Sequence, residues 1–181
     1  MDDPTTSDPA AAARNAAVRK ANGRAWIVGA VVGIVVGIAG MLVYGFAAMC
    51  CLGVLVAPLV PVAAGPLGGG FAAWTPVYAA LRPGDGLAVG AQLGARGAGA
   101  AAVCSLLGMG LLTIVGMGFV AFNGNTKQDE LVIVLGFFGV HGLMMAVGTV
   151  IGILLGAGVG GLVGEMRQPM AARPPPTSSP G

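Results

Sequence analysis

From Ala25 to Leu81 the chain carries no charged side chain, an uninterrupted run of 57 residues. A helix rises about 1.5 Å per residue and a bilayer's hydrocarbon core is about 30 Å thick, so one crossing takes about 20 apolar residues. As a single helix the run would measure about 85 Å, so it must fold back as a hairpin of two spans. Arg96 and Lys127 bracket 30 further uncharged residues, and Glu130 and Glu165 bracket 34, each enough for one span. The expected fold is an all-α integral membrane protein with four transmembrane helices. A β-barrel is disfavoured because its segments alternate in polarity over about ten residues, and these apolar runs are unbroken.

Composition narrows the function classes. Only 9% of the 181 residues are charged, 56% are hydrophobic, and 33 are glycine. A soluble domain is about 25% charged, and this chain could not cover its own surface with polar groups in water. A soluble enzyme, a nucleic-acid binder and a disulfide scaffold are all disfavoured, and the lipid bilayer is the expected partner.

The chain divides into a basic N-terminal segment (1–24), a membrane domain (25–165) and a proline-rich tail (166–181) expected to be disordered. Spans are expected near 26–48, 52–80, 86–122 and 131–163, with the first turn near Ala48 to Cys51 and a polar turn from Asn123 to Glu130. Pro58, Pro61, Pro66 and Pro76 interrupt the second span, with Gly68, Gly69 and Gly70 between. Proline removes a backbone donor and clashes with the preceding turn, so the second helix should be kinked. A bilayer tolerates that only where neighbours satisfy the freed carbonyls. Asp8 and Pro9 make a good helix start, and Ala10 to Asn22 should form a short basic helix at the anionic inner leaflet. The first apolar run far exceeds the 7–15 residues of a signal peptide, which reads as an uncleaved signal anchor.

Four spans place both termini on one side. Arg14, Arg19, Lys20, Arg24, Arg82, Arg96, Arg167 and Arg173 then share that side, with only Lys127 opposite. Cytoplasmic loops hold the positive charge, so both ends are expected in the cytoplasm, with the protein in a bacterial inner membrane.

Glycine recurs at every fourth residue: Gly29, Gly33 and Gly37 in the first span, Gly86, Gly90 and Gly94 opening the third, and Gly148, Gly152, Gly156, Gly160 and Gly164 in the fourth. Small residues at this spacing let helix backbones approach closely, a main route to association in lipid. Each step of four drifts about 40°, so the longest row winds through about 160°. One straight partner cannot follow it, and the fourth helix must cross its partner right-handedly or touch two neighbours. The rows fit a tight monomeric bundle and a homo-oligomer or larger complex equally. Rotary proteolipid subunits also carry dense glycine, but they need a mid-membrane carboxylate. Here Asp2, Asp3, Asp8, Asp85, Asp129, Glu130 and Glu165 all lie at or beyond a span's end.

Few polar residues enter the membrane. His141 is the only histidine and sits within about 20° of the Gly148 and Gly152 direction, so it shares the glycine face. An ionisable group in a span is a functional candidate by default. Cys104 and Ser105 lie at similar depth on the third helix, with Met144 and Met145 one turn from His141. A soft-metal site of His141, Cys104 and a methionine is one alternative, a Ser105–His141 dyad another, and a neutral, hydrogen-bonded histidine the third. The dyad lacks the Gly-x-Ser-Gly sequence of intramembrane serine proteases. Arg82, Asp85, Gln92 and Arg96 form a polar face at the cytoplasmic start of the third helix, either a vestibule or an interfacial turn with Arg96 reaching for phosphate. Adjacent Cys50 and Cys51 cannot easily chelate or bridge and read as packing residues.

Cys50-Cys51 at a first hairpin, followed by Gly84-Asp85-Gly86-Leu87-Ala88-Val89-Gly90-Ala91-Gln92-Leu93-Gly94 opening a third helix, resembles uncharacterised bacterial multi-pass inner-membrane proteins. The resemblance implies four helices and no known activity. The glycine-rich four-span form is also similar to mitochondrial inner-membrane translocase subunits. The function expected is that of a non-catalytic structural or accessory subunit, with no cofactor and with other membrane proteins or copies of itself as partners. A small channel or transporter is the alternative, and a membrane-embedded metal or redox protein using His141 and Cys104 is the second.

Overall fold

The computed structural model describes residues 8–49, 57–123 and 128–171. The described residues form four α-helices: α1 (Pro9–Met49), α2 (Leu59–Ala73), α3 (Gly86–Asn123) and α4 (Gln128–Ala171), with a short 3-10 helix at Pro76–Ala80 between α2 and α3. Three of them, α1, α3 and α4, are long and apolar enough to cross a membrane, and α2 is a shorter apolar helix. The architecture is that of an all-helical membrane protein. The expected first turn at Ala48 to Cys51, with Cys50 and Cys51 themselves, falls mainly outside the described residues, as do 124–127 of the polar turn.

Two expectations change. The second helix does not run over 52–80: within the described residues, regular helix stops at Ala73 after 15 residues, about 22 Å of rise. Thr75 is extended (φ −139°, ψ 152°) and Pro76 opens the 3-10 helix. The prolines explain the limits. Pro58 stands just before α2 and Pro61 lies in its first turn, where the missing N–H would have had no partner. Only Pro66 lies deeper in the helix. At the chain's other end, α4 continues through Arg167, Gln168 and Pro169 to Ala171, so the first residues of the expected tail are helical. Residues 172–181 lie outside the described residues.

The N-terminal basic segment also differs from a separate surface helix. From Pro9 it is continuous with the first span, begun by the Asp8 carboxylate, which accepts from Ala10 N at 3.0 Å. Ala21 and Ala25 are buried with Ala72, Val77, Tyr78 and Leu93, and Ala17 and Val18 lie against that cluster. The segment is therefore part of the bundle.

Helices α2 and α3 hold the middle of the bundle, and α1 and α4 each pack against both. Burial is sorted by size in the opposite sense to a protein folded in water. Inside are Ala25, Ala64, Ala73, Ala98, Ala101 and Ala102 at 4% exposure or less, with the glycine rows. Outside, and more than half exposed, are large side chains such as Ile27, Ile34, Leu42, Leu143 and Leu154. A protein in water rarely leaves so much contiguous apolar surface uncovered, whereas in lipid the association of helices rests on close contact between small residues.

Candidate functional site

The glycine rows lie where helix backbones touch. A Cβ built at Gly29 would meet the Gly97 backbone, at Gly33 the Ala101 backbone, and at Gly37 it would rest 3.4 Å from the Ser105 Cα. Partners advance together by four, so α1 and α3 run parallel. On α4 the row changes neighbour along its length. Gly148 faces the Pro58 carbonyl and Gly152 the Pro61 carbonyl, both at the start of α2. Gly156 stands between α2 and α3, where a Cβ would fall 2.5 Å from the Gly65 carbonyl oxygen and against the Ala98 side chain. Beyond it, a Cβ at Gly160 would fall 2.5 Å from the Gly90 carbonyl oxygen, and one at Gly164 would meet the Gly86 backbone. With α3 the register is antiparallel: Gly94 opposes Gly156, Gly90 opposes Gly160, and Gly86 opposes Gly164.

The next step of that register pairs Arg82 with Gln168, and there a side chain takes over from glycine. Gln168 Oε1 accepts from Gly84 N (3.2 Å) and Gly86 N (3.1 Å), and its Nε2 donates to Arg82 O. The clamped segment is a tight turn in which Asp85 N donates to Arg82 O at 3.1 Å. Gly84 holds φ at +95°, a left-handed conformation that glycine adopts without steric penalty. A Cβ at Gly86 would fall 2.8 Å from the Gly164 carbonyl oxygen, so that position also needs glycine. Sequence reasoning missed Gln168 because proline-rich composition assigned it to the tail. Its place four residues beyond Gly164 is the signal that identifies it.

Of the polar face expected here, Arg82 and Asp85 contribute backbone atoms to this network. The Asp85 and Gln92 side chains are exposed and Arg96 is half-buried. One residue before Gln168, the Arg167 guanidinium carbon lies 3.4 Å from the centroid of the Trp74 ring. Tyr78, beyond the end of α2 and 2% exposed, donates its hydroxyl to Ala73 O at 2.9 Å. Burial pushes its phenol up to about 12, with the Arg167 cation pulling the other way.

In the opposite half, His141 (7% exposed), Met145 (6%) and Ser105 (0%) are buried. Met144 is 43% exposed and turns away from them, and Cys104 is half-buried. Met145 packs with Ala57, Val60 and Met109. The Ser105 hydroxyl donates within its own helix, to Ala102 O at 2.9 Å, and the Ser105 Cβ would lie 3.8 Å from a Cβ built at Gly37 on α1. Its proton is thus engaged by its own helix. Of the four residues considered for a soft-metal site, the structure buries His141 and Met145 and sets Met144 on the outer surface. Among the described residues, no group of three or more His, Cys, Asp or Glu side chains could hold a metal ion.

Comparison of the chain with protein-family models, with curated proteins and with solved structures finds no match.

Proposed function

We propose that the chain is a four-span inner-membrane protein with both termini in the cytoplasm, acting as a non-catalytic structural or accessory subunit built on glycine-zipper packing. The observation that carries this reading is the use of the inner surface. The α4 row from Gly148 to Gly164 lies against α2 and α3, and the α1 row lies against α3. Where carbonyls approach glycine Cα atoms this closely, no column of water fits between the helices, which favours packing over a pore. Because these rows meet helices of the same chain, they are engaged within one copy. Association with other membrane proteins then rests on the outer faces, which carry large apolar side chains.

Topology is tested with reporters fused before Met1 and after Gly181 and inserted at Asn125. The first two should report cytoplasm and the third the opposite side; matching signals at Gly181 and Asn125 would overturn four spans. The accessory role is tested by purification in mild detergent, with the mass of the complex measured. Stoichiometric recovery of another membrane protein is expected. Solute flux through vesicles containing this chain alone would overturn the role in favour of a channel or transporter.

A further inference from the structure

On the outer surface of the bundle, between α2 and α4, runs an apolar groove of about 360 Å³ lined by Pro66, Leu67, Gly70, Phe71, Trp74 and Val163. Leu67, Phe71 and Trp74 are 47%, 61% and 61% exposed, so the groove opens outward, where the surrounding solvent is lipid. Its walls follow helical spacing. Residues 67, 70, 71 and 74 share one face of α2. Val159, whose side chain approaches Gly70, lies in one row with Val163 and Arg167 on α4. Helices α2 and α4 are parallel here, since Gly65 faces Gly152 and Gly69 faces Gly156. The groove therefore runs lengthwise between two helices, in the direction of a lipid chain.

At its end stands a cation. Arg167 is stacked on Trp74 at 3.4 Å, a distance that a guanidinium reaches only face-on. Stacking occupies the flat face and leaves the in-plane N–H groups, the ones that match phosphate oxygens, pointing to the side. Among the described residues no carboxylate pairs with Arg167; its contact is the Trp74 ring. An apolar groove along the membrane normal, ending in an unneutralised guanidinium beside an interfacial tryptophan, is complementary to a lipid with a negative headgroup.

We propose that this groove and Arg167 form a binding site for an anionic phospholipid, with an acyl chain between α2 and α4 and the headgroup phosphate on the guanidinium edge. The site rests on the orientation proposed above, which sets Arg167 at the inner leaflet, where anionic lipids give the surface its negative potential. It explains why Trp74, just past the end of α2, is left largely exposed beside a buried neighbour, Thr75.

The chain's two tryptophans, Trp26 and Trp74, make a direct test available. In a Trp26→Phe protein reconstituted into phosphatidylcholine vesicles, Trp74 fluorescence is titrated with phosphatidylglycerol or phosphatidylcholine brominated in the acyl chains. Half-maximal quenching should come at a several-fold lower mole fraction for the phosphatidylglycerol, and Arg167→Gln in the same background should bring the two curves together. Coincident curves without that substitution would overturn the site, as would a headgroup preference that survives Arg167→Gln. A Trp74→Phe protein reports from Trp26, which is 52% exposed on α1 and should be quenched by both lipids alike. Quenching of Trp26 with no headgroup preference at Trp74 defeats the lipid site alone. If neither tryptophan is quenched by any brominated lipid, the membrane-spanning arrangement fails and the site with it.

Discussion

The two ends of the bundle are held together by different means. Towards the basic end, glycine meets backbone: Gly29 on Gly97, Gly90 on Gly160, Gly69 on Gly156. Towards the other end, beyond the contact of Gly148 with the Pro58 carbonyl, glycines meet side chains or nothing. A Cβ at Gly40 would fall 2.6 and 2.7 Å from the Val60 methyls and one at Gly108 3.2 Å from the terminal methyl of Met41, while at Gly110, Gly139 and Gly142 it would have nothing within 4 Å among the described residues. The buried volume there belongs to Val60, Met109 and Met145. A backbone contact has one geometry, whereas methionine, with several rotatable bonds, fills whatever gap remains. Glycine count alone therefore does not locate the rigid part of such a bundle; what each glycine faces does.

The sharpest way to break this contrast is Gly160→Leu against Gly139→Leu. The first drives a side chain into the Gly90 and Gly94 backbones and should destabilise by about 3 kcal/mol or more, above the usual range for overpacking. The second enters open space and should stay within about 0.5 kcal/mol. Thermal midpoints in detergent compare them, and equal losses would erase the distinction between the ends. A slightly smaller effect, about 2 to 3 kcal/mol, is expected for Gly152→Leu at the Pro61 carbonyl. Leu154→Ala, on a residue 67% exposed, should change little by comparison. If Gly152→Leu leaves both midpoint and mass unchanged, the contact between α2 and α4 is not what holds them.

Within one row the contrast should reverse sign. Gly33→Ala puts a methyl into the Ala101 backbone and should destabilise by about 1 to 2 kcal/mol. Gly37→Ala, at an ordinary 3.4 Å contact, should be neutral or gain up to about 1 kcal/mol from helix propensity. Losses of the same size at both would show that the row tightens evenly along its length. Gln168→Ala removes three hydrogen bonds to a partly solvated turn and should destabilise by about 1 kcal/mol. Hydrogen exchange at Gly84 and Gly86 should rise with it, while exchange within α3 beyond Gly94 stays as it was. Smallest of all, Met145→Leu conserves volume in the adaptable end and should fall below about 1.5 kcal/mol.

How far the sequence reaches depends on whether a feature is local. Helix α3 starts at Gly86, where the Arg82-Pro83-Gly84-Asp85 turn signal places it, because that signal sits in the residues themselves. The inward direction of His141 follows from its angle to the Gly148 row, and the structure buries it at 7% exposure. Met144 and Met145 could not be separated so simply, although the same angular reasoning separates neighbours by about 100°. The end of α4 was hidden for another reason. Pro169 and the prolines after it read as a stop, but Gln168 is held in helix by the α3 turn, 82 to 86 residues away in sequence. Similarly, the 52–80 span looked like one interrupted helix because its hydropathy is continuous. Thr75 and Pro76 end the regular helix whatever the surrounding solvent.

The parallel pairing of α1 with α3 and of α2 with α4 joins elements two places apart in the chain. A polypeptide leaving the ribosome presents α1 first, and its glycine row then has no backbone to meet, since α2 touches α1 chiefly through Val60 against Gly40 and through alanines. The α1 seam closes only once α3 is synthesised, and the α2 seam only once α4 follows. With about 22 Å of regular helix, α2 is also the element least able to hold a position in lipid unaided. The bundle is thus completed by its last helix, and a nascent chain halted before Gly148 would carry α2 with Gly65 and Gly69 unmatched, though Gly68 already meets α3.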